Sequence, residues 1–408
     1  MTAGPLDRVL VLDISRALAG PIAAMMLGDM GARVIKVEAP GSGDDSRTWG
    51  PPFVGPEDDL QSTYFMSANR NKESIVVDLK TEFGRDALRR LVCRADVLIE
   101  NMRPGAFDRL GFSAQALADL NPRLIVLSIT GFGHDGPEGH RPGYDQIAQG
   151  EAGLMSVTGE HGGAPTRIGV PIADVLAGVH GAAGVSAALA SREKTGRGMV
   201  VRTSLLAAAV SVHTFQGTKW TVGGEVAAPS GNHHPQIAPY GSFRCADGFV
   251  QIAVGSEQIW QRLAPLVGLD AADLRFATNT ERVANQAALQ DAIETSFADG
   301  TRSQVLASLE AAGIPAGAIR TLDEVYDWEQ TRSQGLLIEV DHSLAGPIQL
   351  PGPALRMETP HGHSLVRSEH EAPPALGQHT ERILAWLGIG RDQELTDDGE
   401  PEFAELPS

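Results

Sequence analysis

Asp174 is a carboxylate that an apolar, strand-like run delivers to the start of a helix. The run and the helix are GVPIADVLAGVHGAAG, residues 169–184. A carboxylate there has two uses. It caps the unpaired N–H groups of the first turn, or it acts as a nucleophile. Spacing alone favours the cap. Other reactive residue types are sparse. His233 and His234 are adjacent in a loop, and adjacent histidines rarely share a metal. They read as lining a pocket or facing solvent, and no metal site is expected. Cys93 and Cys245 have neither ligand nor disulfide spacing. GSGDDS, residues 41–46, lacks the third glycine of a dinucleotide fingerprint, and GxxxxGK[ST] is absent. A permanently bound nicotinamide or a nucleotide-hydrolysing site is therefore not expected.

The elements that must position Asp174 alternate along the first half of the chain. RVLVLD (8–13) is apolar and β-branched and predicts a buried strand. Gly20-Pro21 opens a helix that Gly31 ends. ARVIKVE (32–38) is the next strand, so the three form a right-handed βαβ unit. SIVVDL (74–79), DVLIEN (96–101) and RLIVLSITG (123–131) continue the strands, with a helix over 83–95. The pattern is an open α/β layered domain. The helix after Asp174 carries Gly178, Gly181 and Gly184, which predict close backbone packing. A Gly-, Pro- and His-rich stretch, 223–241, separates a smaller unit. There a strand spans 247–254, helices span 256–267, 281–298 and 302–312, and 312–320 is extended. A last helix covers 379–388. The final residues, with Glu394, Asp397, Asp398, Glu400, Glu402 and Glu405, read as a solvated tail.

Composition narrows the partners. The chain has 408 residues and a net charge of −18, which repels nucleic acid and acidic membranes. A small anion in a local pocket is still allowed. The N-terminus lacks a signal-peptide pattern. The apolar stretch 175–190 is too short to span a bilayer. These features predict a cytoplasmic protein without nucleic-acid or membrane partners.

Several segments together resemble the class III coenzyme A transferases, the formyl-CoA transferase or carnitine CoA-transferase (CaiB/BaiF) family. They are VLDISRALAGPIAAMMLGDMGARVIKVEAPGSGD, NKESIVVDLKTEFGRDAL, ADVLIENMRPGAFDRLGF, NPRLIVLSITGFGHDGP, RPGYDQIAQGEAGLM and IADVLAG, with ALGQHTERILAWLG near the end. Each is loose alone, and their order and spacing are specific. The resemblance implies a Rossmann-like large domain from both chain ends (1–205 and 340–408) and a smaller α+β domain (225–330). Residues 206–224 and 331–339 would be linkers. It also implies an interlocked homodimer of two open rings.

The resemblance makes Asp174 the nucleophile toward an acyl-CoA thioester. A mixed anhydride and then an aspartyl-CoA thioester would form, with CoA as substrate and a small carboxylic acid as acceptor. For CoA contacts it points to Ser15, Arg16, Ala19, Lys72, Asn101, Met102, Arg103, Gly105, Arg109 and Tyr144. Most of these lie in loops at strand ends, where open α/β sheets bind ligands. A succinyl-CoA-type donor is the expectation. Leu18 stands where oxalate-using members carry glutamine, and their four-glycine lid is absent, which argues against formate–oxalate exchange. Two other functions compete. An α-methylacyl-CoA racemase would use Asp174 with a histidine as a second acid/base, but that place holds Tyr144. A phenol titrates near ~10 and is a poor base at neutral pH. A non-catalytic CoA-binding protein would leave Asp174 idle.

Overall fold

The computed structural model describes residues 4–362 and 364–389, so the acidic tail from Glu394 lies outside the described residues. The chain divides into two compact units. One comprises 1–152, 170–212 and 333–408; the other comprises 153–169 and 213–332. The segment 153–169 groups with the second unit, whereas the resemblance placed it within 1–205. The expected linker 206–224 is largely helical, over Leu205–Ser211 and Thr214–Thr221.

Six parallel strands form the sheet of the first unit. They are β1 (Leu10–Asp13), β2 (Arg33–Glu38), β3 (Lys72–Val76), β4 (Val97–Glu100), β5 (Ile125–Thr130) and β6 (Val200–Ser204). Their order is β3-β2-β1-β4-β5-β6, so the connection reverses direction between β1 and β4. Apolar side chains cover both faces, as a parallel sheet between helices requires. Leu12, Ile35, Ile75 and Leu98 are fully buried, and the helix Glu82–Arg94 packs Leu88 and Leu91 onto them. Thr81 caps that helix by accepting from the Gly84 N–H at 3.1 Å. The chain's end closes the β3 edge. His379 N–H donates to Ser74 O at 2.9 Å, and Val76 N–H donates to Thr380 Oγ1 at 3.0 Å. An edge strand left open would invite pairing with another chain.

Three helices position the candidate site: α1 (Ala19–Asp29), α2 (Asp145–Glu151) and α3 (Ile172–Thr195). By length and composition alone α3 is long enough to cross a membrane, which the shorter stretch 175–190 did not suggest. It packs instead on α1, β5 and β6. The glycine stripe explains how. A Cβ at Gly178 would lie 2.8 Å from the Ala19 carbonyl oxygen, and one at Gly181 2.8 Å from Leu127. One at Gly184 would lie 2.7 Å from Val201.

The second unit is a three-stranded antiparallel sheet with helices. The hairpin β7 (Tyr240–Cys245) and β8 (Gly248–Ala253) pairs with β9 (Ala316–Ala318). Trp260, Phe243, Phe276 and Ile293 form its core. The helix expected over 281–298 is two helices that meet at Asn285. His234 is stacked between Phe215 and Tyr240, with ring centroids 5.4 and 5.3 Å away.

Candidate active site

Asp174 is the third residue of α3. The residues before the helix are irregular, not the strand that 169–173 suggested. The cap at this helix is also not Asp174. Asp145 Oδ1, at the start of α2, accepts from the N–H groups of Ala173 at 2.7 Å and Asp174 at 3.3 Å. Its Oδ2 accepts from Gln149 Nε2 at 2.6 Å. A carboxylate from another helix thus takes the capping role and leaves the Asp174 side chain available.

The Asp174 carboxylate is half-buried and faces the start of α1, where the backbone N–H of Ala19 favours its ionised form. Burial raises its pKa most, and the Asp145 carboxylate raises it further. The Ala19 N–H offsets part of this, and the group is pushed up to about 7. Tyr64 feels the same pair. Burial, then Asp174 and Asp145, push its phenol above the usual range. Trp49 meets the Tyr64 ring edge-on at 4.9 Å. A carboxylate poised near neutrality is more basic than a solvated one, yet still substantially ionised at pH 7. Such a group suits nucleophilic attack.

Asp145→Asn tests this electrostatics. An amide oxygen still accepts the two helix N–H groups, while the second negative charge is gone. Asp174 should then titrate below about 7, and burial should keep it above the usual 3.8. A pH titration of any Asp174-dependent step reads the shift. An unmoved midpoint would show that Asp145 does not tune Asp174.

A cleft of ≈ 190 Å³ opens at the carboxyl ends of β1, β2, β3 and β4. This is the crevice where the strand order reverses, the usual ligand site of an open α/β sheet. Ser15, Arg16, Lys36, Asp44, Lys80 and Met102 are among its walls. Of the residues expected from sequence, Ser15, Arg16 and Met102 line this cleft, and the Ala19 N–H favours the charged form of Asp174. Asn101 holds the backbone of Arg16 on both sides. Its Oδ1 accepts from the Arg16 N–H at 2.9 Å, and its Nδ2 donates to the Arg16 carbonyl at 2.8 Å. Gly105 adopts φ 75 at the turn that leads to Arg109. Arg103 and Arg109 are exposed, and among the described residues neither has an acidic partner. Tyr144 is 67% exposed and immediately precedes α2.

Lys72 is placed differently. It is buried beneath the cleft, and its Nζ donates to Asp13 Oδ2 at 2.8 Å, Pro21 O at 2.9 Å and Asn69 Oδ1 at 2.9 Å. All three of its N–H groups are spent inside the protein, so it cannot also bond a ligand. Burial pushes it down to about 8 against the opposing pull of Asp13. Sequence reasoning also missed its neighbours. Lys36 Nζ pairs with Asp44 Oδ2 at 2.8 Å and Asp13 Oδ2 at 3.5 Å, and none of these side chains is exposed. The visible signal was a lysine inside the apolar strand VIKVE. A charge there demands a buried partner.

Comparison with known proteins fits this geometry. CoA-transferase family III matches residues 6–380. Succinyl-CoA:glutarate CoA-transferase of Mus musculus is 39% identical over 93% of this chain and 86% of its own length. Succinate–glutarate CoA-transferase of Agrobacterium fabrum is 39% identical over 94% of this chain and 96% of its own. The crystal structure of a CaiB/BaiF family protein from Brucella suis superposes with a TM-score of 0.85. It is 39% identical and covers 94% of this chain and 100% of its own.

Proposed function

The chain belongs to CoA-transferase family III, and we propose that it moves CoA from succinyl-CoA to a small dicarboxylic acid through covalent intermediates on Asp174. The observation that carries the mechanism is the state of Asp174. It is relieved of capping by Asp145, half-buried, raised to about 7 and held by the Ala19 N–H.

In the first step an Asp174 oxygen attacks the thioester carbonyl. A C–O bond forms, the C–S bond breaks and CoA leaves as thiolate. The thiolate then attacks the Asp174 carbonyl of the mixed anhydride. This gives an aspartyl-CoA thioester and frees succinate. The acceptor carboxylate attacks that thioester, and thiolate leaves again. Its return to the acceptor's carbonyl makes the new acyl-CoA and restores Asp174. No net proton moves, and the thioester energy is kept if water stays out. The Ala19 N–H lies where it can steady charge on the aspartyl oxygen. The cleft at the β1–β4 ends takes CoA in this scheme, with Arg16, Lys80, Arg103 and Arg109 supplying positive charge for its phosphates.

A racemase pairs its aspartate with a histidine. Among the described residues, the ionisable groups that face Asp174 are Asp145 and Tyr64, and neither is a histidine. The transferase scheme needs none.

We further propose a cytoplasmic homodimer. Cys93 and Cys245 are free thiols, which suits a reducing compartment. The helix Thr214–Thr221 buries none of its residues, and Trp220, Val222 and Val226 nearby are 58%, 84% and 74% exposed. A second copy would cover this apolar surface. Native mass spectrometry should read twice the 43.1 kDa chain mass at micromolar protein. A monomer would end the dimer reading.

The test of the chemistry is intact-protein mass spectrometry after incubation with succinyl-CoA. An adduct of CoA mass, released by hydroxylamine and missing in Asp174→Ala, is the expected result. If no adduct forms with any acyl-CoA, while α-proton exchange occurs with a branched acyl-CoA, the transferase reading fails. Glutarate should then discharge the adduct and yield glutaryl-CoA.

A further inference from the structure

We propose that the buried Asp13–Lys36–Asp44–Lys72 cluster is the positioning frame for Asp174. It acts through the turn Ser15–Pro21, with Asp44 as the member nearest to the effect. The proposal rests on the aspartyl reading above.

The cluster is costly. Asp13, Lys36, Asp44 and Lys72 are 0–1% exposed, and burying charges seldom adds stability over apolar packing. What the four charges share is the backbone they address. Lys36 Nζ donates to the Ser15 carbonyl at 2.9 Å. Asp13 Oδ1 accepts from the Ser15 N–H at 3.1 Å. Asp44 Oδ1 accepts from the Ala17 N–H at 2.9 Å. Lys72 Nζ donates to the Pro21 carbonyl at 2.9 Å. Every one of these bonds falls within seven residues of chain. Ala19, whose N–H meets Asp174, lies in the middle of them.

The turn needs that restraint. Ala17 has φ 64, a left-handed conformation that an alanine keeps only when its surroundings impose it. The Asp44 bond is made by this residue's own N–H. On the other side the turn has no room to relax. A Cβ at Gly20 would overlap the Ser15 hydroxyl, and Gly178 of α3 lies against the Ala19 carbonyl. The direction of the Ala19 N–H is therefore fixed from below by ionic contacts and from above by packing. Asp145 and Tyr64 also face Asp174, from α2 and from the segment Thr63–Met66.

Two substitutions at Asp44 isolate the effect. Asp44→Asn drops the charge but keeps an oxygen for the Ala17 N–H. Asp44→Ala drops both. At saturating succinyl-CoA, CoA-adduct formation should fall about 10–100-fold in Asp44→Ala and by a clearly smaller factor in Asp44→Asn, which keeps the bond to the Ala17 N–H. The acid limb of that rate should move above about 7 in Asp44→Ala only, because the N–H that favours the Asp174 carboxylate is lost. Equal losses in both variants with an unmoved limb would overturn the proposal. So would a change confined to the KM for acyl-CoA, which would make Asp44 a simple wall of the cleft. If Asp44→Ala does not fold, Asn101→Ala loosens the same turn at Arg16 and should move the limb in the same direction; an unmoved limb there also overturns it. Carbon NMR titration of the Asp174 carboxyl needs no substrate. If the wild type forms no adduct, the aspartyl reading fails, and this titration still decides whether the frame acts on Asp174.

Discussion

Asp174→Asn is expected to lose CoA transfer by at least about 10⁴-fold and yet to be more stable than the native protein above pH 7. The activity loss follows from chemistry, since an amide is a poor nucleophile and every step passes through the aspartyl oxygen. The stability gain follows from linkage. The carboxyl titrates at an ordinary 3.8 when unfolded and at about 7 when folded. Below pH 3.8 it is protonated in both states and costs nothing. As pH rises from 3.8 to about 7 the unfolded chain ionises first, and stability drains away. Above about 7 the full cost is present, on the order of 2 kcal/mol once solvent screening at its exposed edge is allowed for. Asparagine has no such titration, and its amide can donate to Asp145 instead of repelling it. Denaturant unfolding at pH 4.5 and pH 8 measures the difference. The variant's advantage should grow with pH across that window and then level off. An advantage that is constant, or largest in acid, would mean that Asp174 is not a strained carboxylate.

That strain also explains which parts of the site sequence could show. The strands were legible because buried parallel strands are continuous apolar runs. LVLD, VLIE and IVLSIT therefore stood out from their surroundings. Asp174 was legible as a carboxylate at a helix start, but its role was not. The residue that decides the role, Asp145, lies 29 positions earlier, and its bonds to the Ala173 and Asp174 N–H groups are tertiary. Local spacing assigns a cap to the nearest acid, and here the fold supplies a more distant one. Lys72 failed in the opposite way. A basic residue in NKES reads as a ligand contact, whereas pairing β3 beside β2 turns it inward to Asp13. The boundary of the second unit was hidden for a similar reason. Residues 153–169 are rich in glycine, which reads as a loop within either unit, and only long-range contacts join them to 213–332.

Lys36→Met is expected to destabilise the protein by about 3–5 kcal/mol, far more than its loss of one contact in an exposed pair would. The methionine fits the volume and removes the charge. Asp44 then keeps no cation at 2.8 Å, and Asp13 is left with Lys72 alone. In the native protein burial works against both carboxylates; Lys36 and Lys72 together outweigh it at Asp13, held at about 2, and Lys36 with the Ala17 and Ser46 N–H groups outweighs it at Asp44, held below the usual range. Both groups therefore stabilise the fold above pH 3.8, and that contribution is lost as pH falls below it, for Asp13 on the way to about 2. Removing Lys36 reverses the balance at Asp44. Burial then dominates, so its carboxyl should titrate upward and the variant should suffer less at pH 5 than at pH 8. Arg85→Ala, which breaks an exposed pair with Glu82, is the contrast and should cost under about 1 kcal/mol at either pH. Equal and small losses in the two variants would show that the ionic cluster is no more than solvated charge. A large, pH-dependent loss in Lys36→Met alone would show that the turn bearing Ala19 is built on it.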